Sequence, residues 1–209
     1  MPAMPMFPLG SVLFPSLVLP LHIFEPRYRA LISDVLDGDG EFGVCLIERG
    51  AEVGGDDVRT AVGTAARVHE AEELPDGRWA VVAVGVRRIR VERWLPDDPY
   101  PRAEVVDLPD PVPSASEVAA LPEVVSRLRG ALARSAELGD TTTPATIELS
   151  EDPVLVSHQA SALAPIATID QHALLAAETV GLRLARLQGL LDEAIEVLDL
   201  RLAAAHRDD

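Results

Sequence analysis

Two rhythms of apolar and polar positions divide the chain. Over residues 7–112 the apolar residues come in short runs rich in branched side chains. Examples are Phe42-Gly-Val-Cys-Leu-Ile47, Val62-Gly-Thr-Ala-Ala-Arg-Val68, Trp79-Ala-Val-Val-Ala-Val84 and Arg102-Ala-Glu-Val-Val-Asp-Leu108. Runs of this length and composition predict strands. Pro75-Asp-Gly77 is a turn signal, so Ala65–Leu74 and Arg78–Val86 are expected to form a hairpin. One helix interrupts the strands: Pro26 suits its first position, Tyr28, Leu31, Ile32, Val35 and Leu36 share a face, and Gly38 stops it. Strands at this spacing around a single helix predict a small closed or nearly closed barrel. Gly54-Gly-Asp-Asp57 reads as a hairpin or loop tip.

Pro109-Asp-Pro-Val-Pro113 can continue neither a strand nor a helix, and it sets an expected boundary between residues 1–112 and 113–209. The second rhythm follows it. Val124, Val125, Leu128, Ala131, Leu132 and Leu138 recur at helical spacing and Gly139 closes the helix. A further helix is expected over Val154–Leu163, ended by Pro165, with Thr168 or Asp170 capping a short one after it. Thr179 then caps the longest helix. Along it Val180, Leu184, Leu187, Leu191, Ala194 and Leu198 step by 4, 3, 4, 3 and 4 residues. Leu182, Leu190, Val197 and Leu200 are read as broadening that stripe, which predicts packing inside a bundle. The fold class is therefore α+β, a β-rich lobe followed by an α-helical one.

Charge and composition narrow the function. The chain of 209 residues carries a formal net charge of −16. Eleven arginines against nineteen acids over residues 1–112 give −8, and seven against fifteen over 113–209 give another −8. A polyanion would be repelled over most of this surface, so nucleic acid is not the expected partner. All 18 basic residues are arginine. Without lysine the chain offers no phosphate-binding P-loop, no Ser-Lys dyad and no Schiff-base amine. The N-terminal Met1-Pro-Ala-Met-Pro-Met6 lacks the pattern of a signal peptide, and no apolar run is long enough to span a bilayer. One cysteine, Cys45, reads as a small buried thiol, and together these features lead us to expect a cytoplasmic protein with no membrane partner.

Candidate chemistry is sparse. His22, His69, His158, His172 and His206 show no close pairing, and with a single cysteine no zinc-type spacing exists, so neither a metal nor another cofactor is expected. No G-x-S-x-G elbow or glycine-rich dinucleotide fingerprint is present. His22 with Glu25 has the types of a base and its orienter, but a histidine near a strand end more often serves as a structural hydrogen-bonder. Arg87, Arg88, Arg90 and Arg93 make one strand locally basic. It is either an anion or acidic-peptide contact or a solvated face balancing Glu70, Glu72 and Glu73, and we take the second. Alternation assigns Arg88, Arg90 and Glu92 to one face and Arg87, Ile89 and Val91 to the other.

Phe7-Pro-Leu-Gly-Ser-Val-Leu-Phe-Pro15 followed by Leu19-Pro-Leu-His-Ile-Phe-Glu-Pro-Arg-Tyr-Arg-Ala-Leu31 resembles the opening of the N-terminal substrate-binding domain of Lon proteases. Phe42-Gly-Val, Val62–Val68, Glu72-Glu-Leu-Pro-Asp-Gly-Arg78 and Val84-Gly-Val-Arg-Arg-Ile-Arg-Val91 follow in that family's order, covering about the first 108 residues. The resemblance implies a PUA-like pseudo-barrel with a helical bundle ending in a long helix. It also implies a stand-alone bacterial form without the ATPase and peptidase domains. The implied function is non-catalytic binding of unfolded or hydrophobic peptide segments, or of a partner protein, by a monomer or dimer. The alternatives are a small-ligand or RNA-binding protein of the same fold and a hydrolase assembled from scattered histidines and carboxylates. The expected contact residues are Leu17, Val18, Phe24 and Tyr28 at the corner before the helix, with Trp94 and Tyr100 in the turn-rich end of the β lobe. The competing role for the first four is plain core.

Overall fold

The structure is a computed structural model and describes residues 3–49, 58–141 and 143–208; the expected loop tip at Gly54–Asp57 lies outside them. The chain divides into two compact units, Met1–Pro109 and Asp110–Asp209, split three residues before the position taken from the proline run.

The first unit contains β1 (Ala3–Leu9), β2 (Val18–Ile23), α1 (Pro26–Asp37), β3 (Glu41–Arg49), β4 (Val58–Glu73), β5 (Trp79–Leu95) and β6 (Arg102–Asp107). The sheet order is β2-β5-β4-β3-β1-β6, and β5 also pairs with β6. Five strands therefore close into a ring, and β2 hangs outside it on β5. The length of β5 makes this possible. Its first half, Trp79–Val84, pairs with β2, and its second half, Ile89–Leu95, pairs with β6. Register shifts against β4 at Ala65/Ala66 and Val68/Glu70 bend the two long strands between those tasks.

One buried residue from each ring strand, Met6, Cys45, Ala65, Ile89 and Ala103, forms a small cluster, the pattern of a barrel interior. Cys45 is 2% exposed there, as a structural thiol would be. A larger cluster packs α1, through Tyr28, Leu31, Ile32 and Val35, with Phe7, Phe42, Val81 and Ile23. Burying each such side chain is worth about 1.5–3 kcal/mol. Leu36, expected on the same face, is 42% exposed at the margin of the buried arc in the last turn. The hairpin turn at Pro75–Gly77 is present, with Gly77 at φ +79°, a conformation that side chains rarely adopt.

The second unit holds α2 (Ala115–Glu137), α3 (Pro153–Leu163), α4 (Thr168–Leu175) and α5 (Val180–Asp208). Ser114 and Glu117 form a capping box at the start of α2. The free Glu117 oxygen accepts from the Gly181 amide and so ties in the start of α5. Thr179 caps α5 through the Leu182 amide. Ala167, with no side-chain bond, is the N-cap of α4, because Thr168 is already helical and Asp170 sits in the first turn. Val180, Leu184, Leu187, Leu191 and Leu198 are buried as their spacing requires, but Leu182, Val197 and Leu200 are 58%, 56% and 72% exposed. They lie off the stripe and leave α5 with an uncovered flank. Among the described residues no helix is long and apolar enough to cross a membrane.

Candidate functional site

The corner ahead of α1 is built by a strained turn. Phe14-Pro15-Ser16-Leu17 closes with the Leu17 amide on the Phe14 carbonyl at 3.3 Å, and Ser16 stands at φ +65°. This is the type II arrangement, with proline at its favoured place and serine where glycine is normal. The turn lies against Gly85, where a Cβ would come within 2.3 Å of the Phe14 oxygen. The bonds Ser16 N–H to Gly85 O and Gly85 N–H to Leu17 O then launch β2 along β5.

β2 is an edge strand. Its only strand neighbour is β5, and no other hydrogen bond to Val18–Ile23 occurs among the described residues. Pro20 fixes which way its backbone faces. Pro20 pairs with Val82 and cannot donate, so its nitrogen points away from β5. Antiparallel ladders alternate, so the amides of Leu19, Leu21 and Ile23 serve β5, whereas those of Val18 and His22 face outward with Pro20 between them.

A cavity of about 210 Å3 runs beside this edge. Four consecutive β2 residues, Pro20–Ile23, line it, although their side chains alternate between faces, so the cavity follows the strand's edge. Its far wall is Phe7 and Tyr28, stacked with centroids 4.2 Å apart. Phe24 stands at the mouth, 58% exposed. The volume lies below the ~300–1,000 Å3 typical of drug-sized ligands, which suits one apolar side chain.

The six expected contact residues do not form one surface. Val18 (62%) and Phe24 are exposed, while Leu17 is half-buried against the larger cluster. Tyr28 is 4% exposed, a wall of the cavity and part of the core. Tyr100, expected on the surface of a turn-rich segment, is 7% exposed in the same core, and its hydroxyl donates to Asp34 at 2.7 Å. Burial, followed by the Asp34 carboxylate, pushes the Tyr100 phenol up to about 12. Trp94 is half-buried on the barrel cluster, with Arg59 stacked 4.9 Å from its ring centroid.

The polar alternatives also resolve. Glu25 is the N-cap of α1 and pairs with Arg27 at 3.1 Å. Among the described residues no hydrogen bond or ion pair joins it to His22. The arginine strand is balanced, but by other partners. Arg87 reaches Glu41 at 2.6 Å and Asp107 at 2.8 Å, Arg90 takes Glu92, and Arg93 takes Glu104. Glu70, Glu72 and Glu73 fall opposite Val82, Ala80 and Trp79, because the hairpin turn fixes that register. The assigned alternation holds, since β5 pairs residue by residue with β4 from Arg87 to Arg90 and Ile89 and Val91 share the barrel cluster, but Arg88, on the opposite face, is buried as well.

One buried polar group was not visible in the sequence. Asp110 accepts from Arg183 at 2.6 Å and contacts His158 Nε2 at 3.0 Å. Arg183 also donates to the Ser157 hydroxyl and the Leu174 carbonyl. The set resembles a Ser-His-Asp constellation in composition only. The Ser157 hydroxyl donates to the Val154 carbonyl, and Ser157, His158 and Arg183 are 0% exposed. Burial opposes the Asp110 charge, but bonds from His158 and Arg183 hold its carboxyl well below the usual carboxylate range. Burial lowers the Arg183 pKa, yet a guanidinium does not lose its proton in proteins, so the pair is ionised. No group of His, Cys, Asp or Glu among the described residues could hold a metal ion.

Comparison with known proteins agrees with this architecture. The chain is 30% identical over 203 residues, 95% of its length, to a Lon protease of Koribacter versatilis. It is 29% identical to Lon protease 2 of Herpetosiphon aurantiacus, over 94% of its length. It spans about a quarter of the length of these curated relatives. A crystal structure of a Lon N-terminal domain protein from Xanthomonas campestris is similar at 26% identity and TM-score 0.65, with 90% of this chain and 98% of that one covered. The N-terminal domain of a Mycobacterium avium complex Lon protease, at 18% identity and TM-score 0.67 over 91% and 98% of the two chains, shares the fold. Residues 3–193 match the model of the ATP-dependent protease La (LON) substrate-binding domain, and the chain belongs to that family.

Proposed function

We propose that the chain is a binding module for polypeptides that expose apolar segments, and that it captures them at the corner between β2 and α1. The observation that carries this reading is Phe24, 58% exposed at the mouth of a cavity walled by Phe7 and Tyr28. A large aromatic in solvent beside an apolar slot is the anatomy of an interface anchor. Val18, 62% exposed one strand-length away, extends the apolar rim. The reading involves no chemistry on the client: the chain has no lysine for a P-loop or a Ser-Lys dyad, Ser157 and Asp110 accept from Arg183, and His158 is held by Asp110.

The test is binding of an alkylated, unfolded globular protein compared with its native form. The unfolded form should bind and the native form should not. Phe24→Ala should weaken the binding at least ~5-fold, the ~1 kcal/mol or more expected of an anchor. Equal binding of the two forms, or an unchanged affinity in Phe24→Ala, would remove the corner from consideration.

A further inference from the structure

The corner offers a client more than apolar contact, because its backbone is as unpartnered as its side chains. We infer that an extended client segment with basic flanks adds to the sheet as a new strand along the free edge of β2, one of its side chains entering the cavity against Phe7 and Tyr28. This rests on the proposed capture of apolar segments and names its mode.

Three observations converge on strand addition. The outward amides of Val18 and His22, with the outward carbonyls of β2, have no hydrogen-bond partner among the described residues and make a ready-made ladder. Pro20 removes the donor between them, so a client meets two anchoring amides four residues apart rather than a continuous edge, which limits pairing to short segments. The cavity is continuous with that edge, since it is lined by consecutive β2 residues. A strand seated there would send alternate side chains into the slot and out to solvent.

Charge selects the client further. On the outer face β2 and β5 present Val18, Pro20, Val82 and Val84, and the next strand carries the exposed carboxylates Glu70 and Glu72, neither of them in an ion pair among the described residues. With a formal net charge of −16 the chain steers cationic segments toward itself and repels acidic ones. An apolar stretch flanked by Arg or Lys is complementary to all of this surface. A second copy of this chain, equally acidic, is not.

The experiment leaves the protein unaltered. The probe is a short fluorescent peptide of alternating Val and Thr with a central Phe and an Arg at each end. Two isomers are made, N-methylated on one edge or on the other. Strand addition predicts that exactly one isomer loses affinity, by at least ~10-fold, since methylation blocks only the edge that pairs. It also predicts that the unlabelled peptide slows hydrogen exchange at the Val18 and His22 amides but not at the already paired Leu19 and Leu21. A Glu-flanked peptide should bind more weakly at low salt, with the difference shrinking as salt is raised. If both methylated isomers bind like the parent, strand addition falls while apolar capture stands. If the parent peptide does not bind at all, both fall. Protection of Val18 and His22 that grows with protein concentration and without peptide would make a second copy the occupant and overturn the proposal.

Discussion

Two regions of this molecule treat their polar groups in opposite ways. In the helical unit Asp110, His158, Ser157 and Arg183 bring an acid, a base, a hydroxyl and a permanent cation together, and the bonds among them close the set. At the β2–α1 corner the ionisable groups, among them His22 and the Glu25–Arg27 pair, form no such buried set, and two amides and two large apolar side chains face solvent. A search for function that ranks sites by titratable residues would choose the first region. The buried network keeps its charged groups and its hydroxyl on one another, whereas an open strand edge beside an apolar slot offers backbone groups and surface to a client.

The sharpest way to break this contrast is to remove Asp110. Asp110→Ala leaves the Arg183 guanidinium buried without its carboxylate, a loss of about 3–5 kcal/mol. It should appear as a large fall in the melting temperature of the helical unit, with peptide affinity per folded molecule unchanged. The sign of the pH dependence follows from the depressed Asp110 carboxyl. Its contribution is fully present above the ordinary carboxylate value near ~3.9 and is lost as pH falls below it. Acid denaturation of the parent should therefore show a component that Asp110→Ala lacks. Loss of peptide binding without loss of stability would mean that the network is functional.

The next comparison lies within the corner. Tyr28→Ala removes a ring that is both cavity wall and core, and should cost about 3–5 kcal/mol of stability together with binding. Phe24→Ala should cost about 1–2 kcal/mol of binding and leave the melting temperature nearly unmoved. Measured side by side, thermal unfolding and peptide affinity separate the two aromatics. Equal losses of stability would make Phe24 core and move the site elsewhere.

Much of this contrast is visible in the sequence, and the reasons for the rest are specific. β3 to β6, the Pro26 helix, the Pro75–Gly77 turn and the α5 stripe follow from local periodicity and from residues with restricted backbones, and the structure has all of them, whereas the proline-interrupted β1 and β2 do not announce themselves in that way. What periodicity does not supply is which strand lies at the edge, since that depends on β5 being long enough to serve two neighbours. Exposure of Phe24 against burial of Tyr28, four residues apart, depends on the same closure. The Asp110 set joins positions 110, 158 and 183, a separation that no spacing rule reaches. The proline-rich turn around Tyr100 predicts a surface position, but its ring packs into the larger cluster while its hydroxyl reaches the exposed Asp34 on α1.

Tyr100→Phe tests that last point with a smaller effect. Asp34 is exposed and regains water, so the cost should be about 1 kcal/mol. Because the phenol is raised to about 12, its contribution is present below its ordinary value near ~10 and is lost as pH rises toward the folded value. The parent should therefore lose stability in that alkaline window and Tyr100→Phe should not, and alkaline titration of tyrosinate absorbance gives an independent check.

The smallest effect concerns how the corner is held. Ser16 sits at φ +65°, and its buried hydroxyl has no partner among the described residues. Left-handed backbone costs an L-residue about 1–2 kcal/mol, and an unpartnered buried hydroxyl adds to that. Glycine would relieve both, but it gives up about 0.5–1 kcal/mol through the freer unfolded chain. Ser16→Gly should thus stabilise the first unit by about 1 kcal/mol or less. Because the Phe14–Leu17 turn and the Gly85 contacts still fix β2, peptide affinity should not change. If stability rises while affinity falls, the strain is itself part of the site: Ser16 would be holding β2 in a position that an unstrained turn does not maintain.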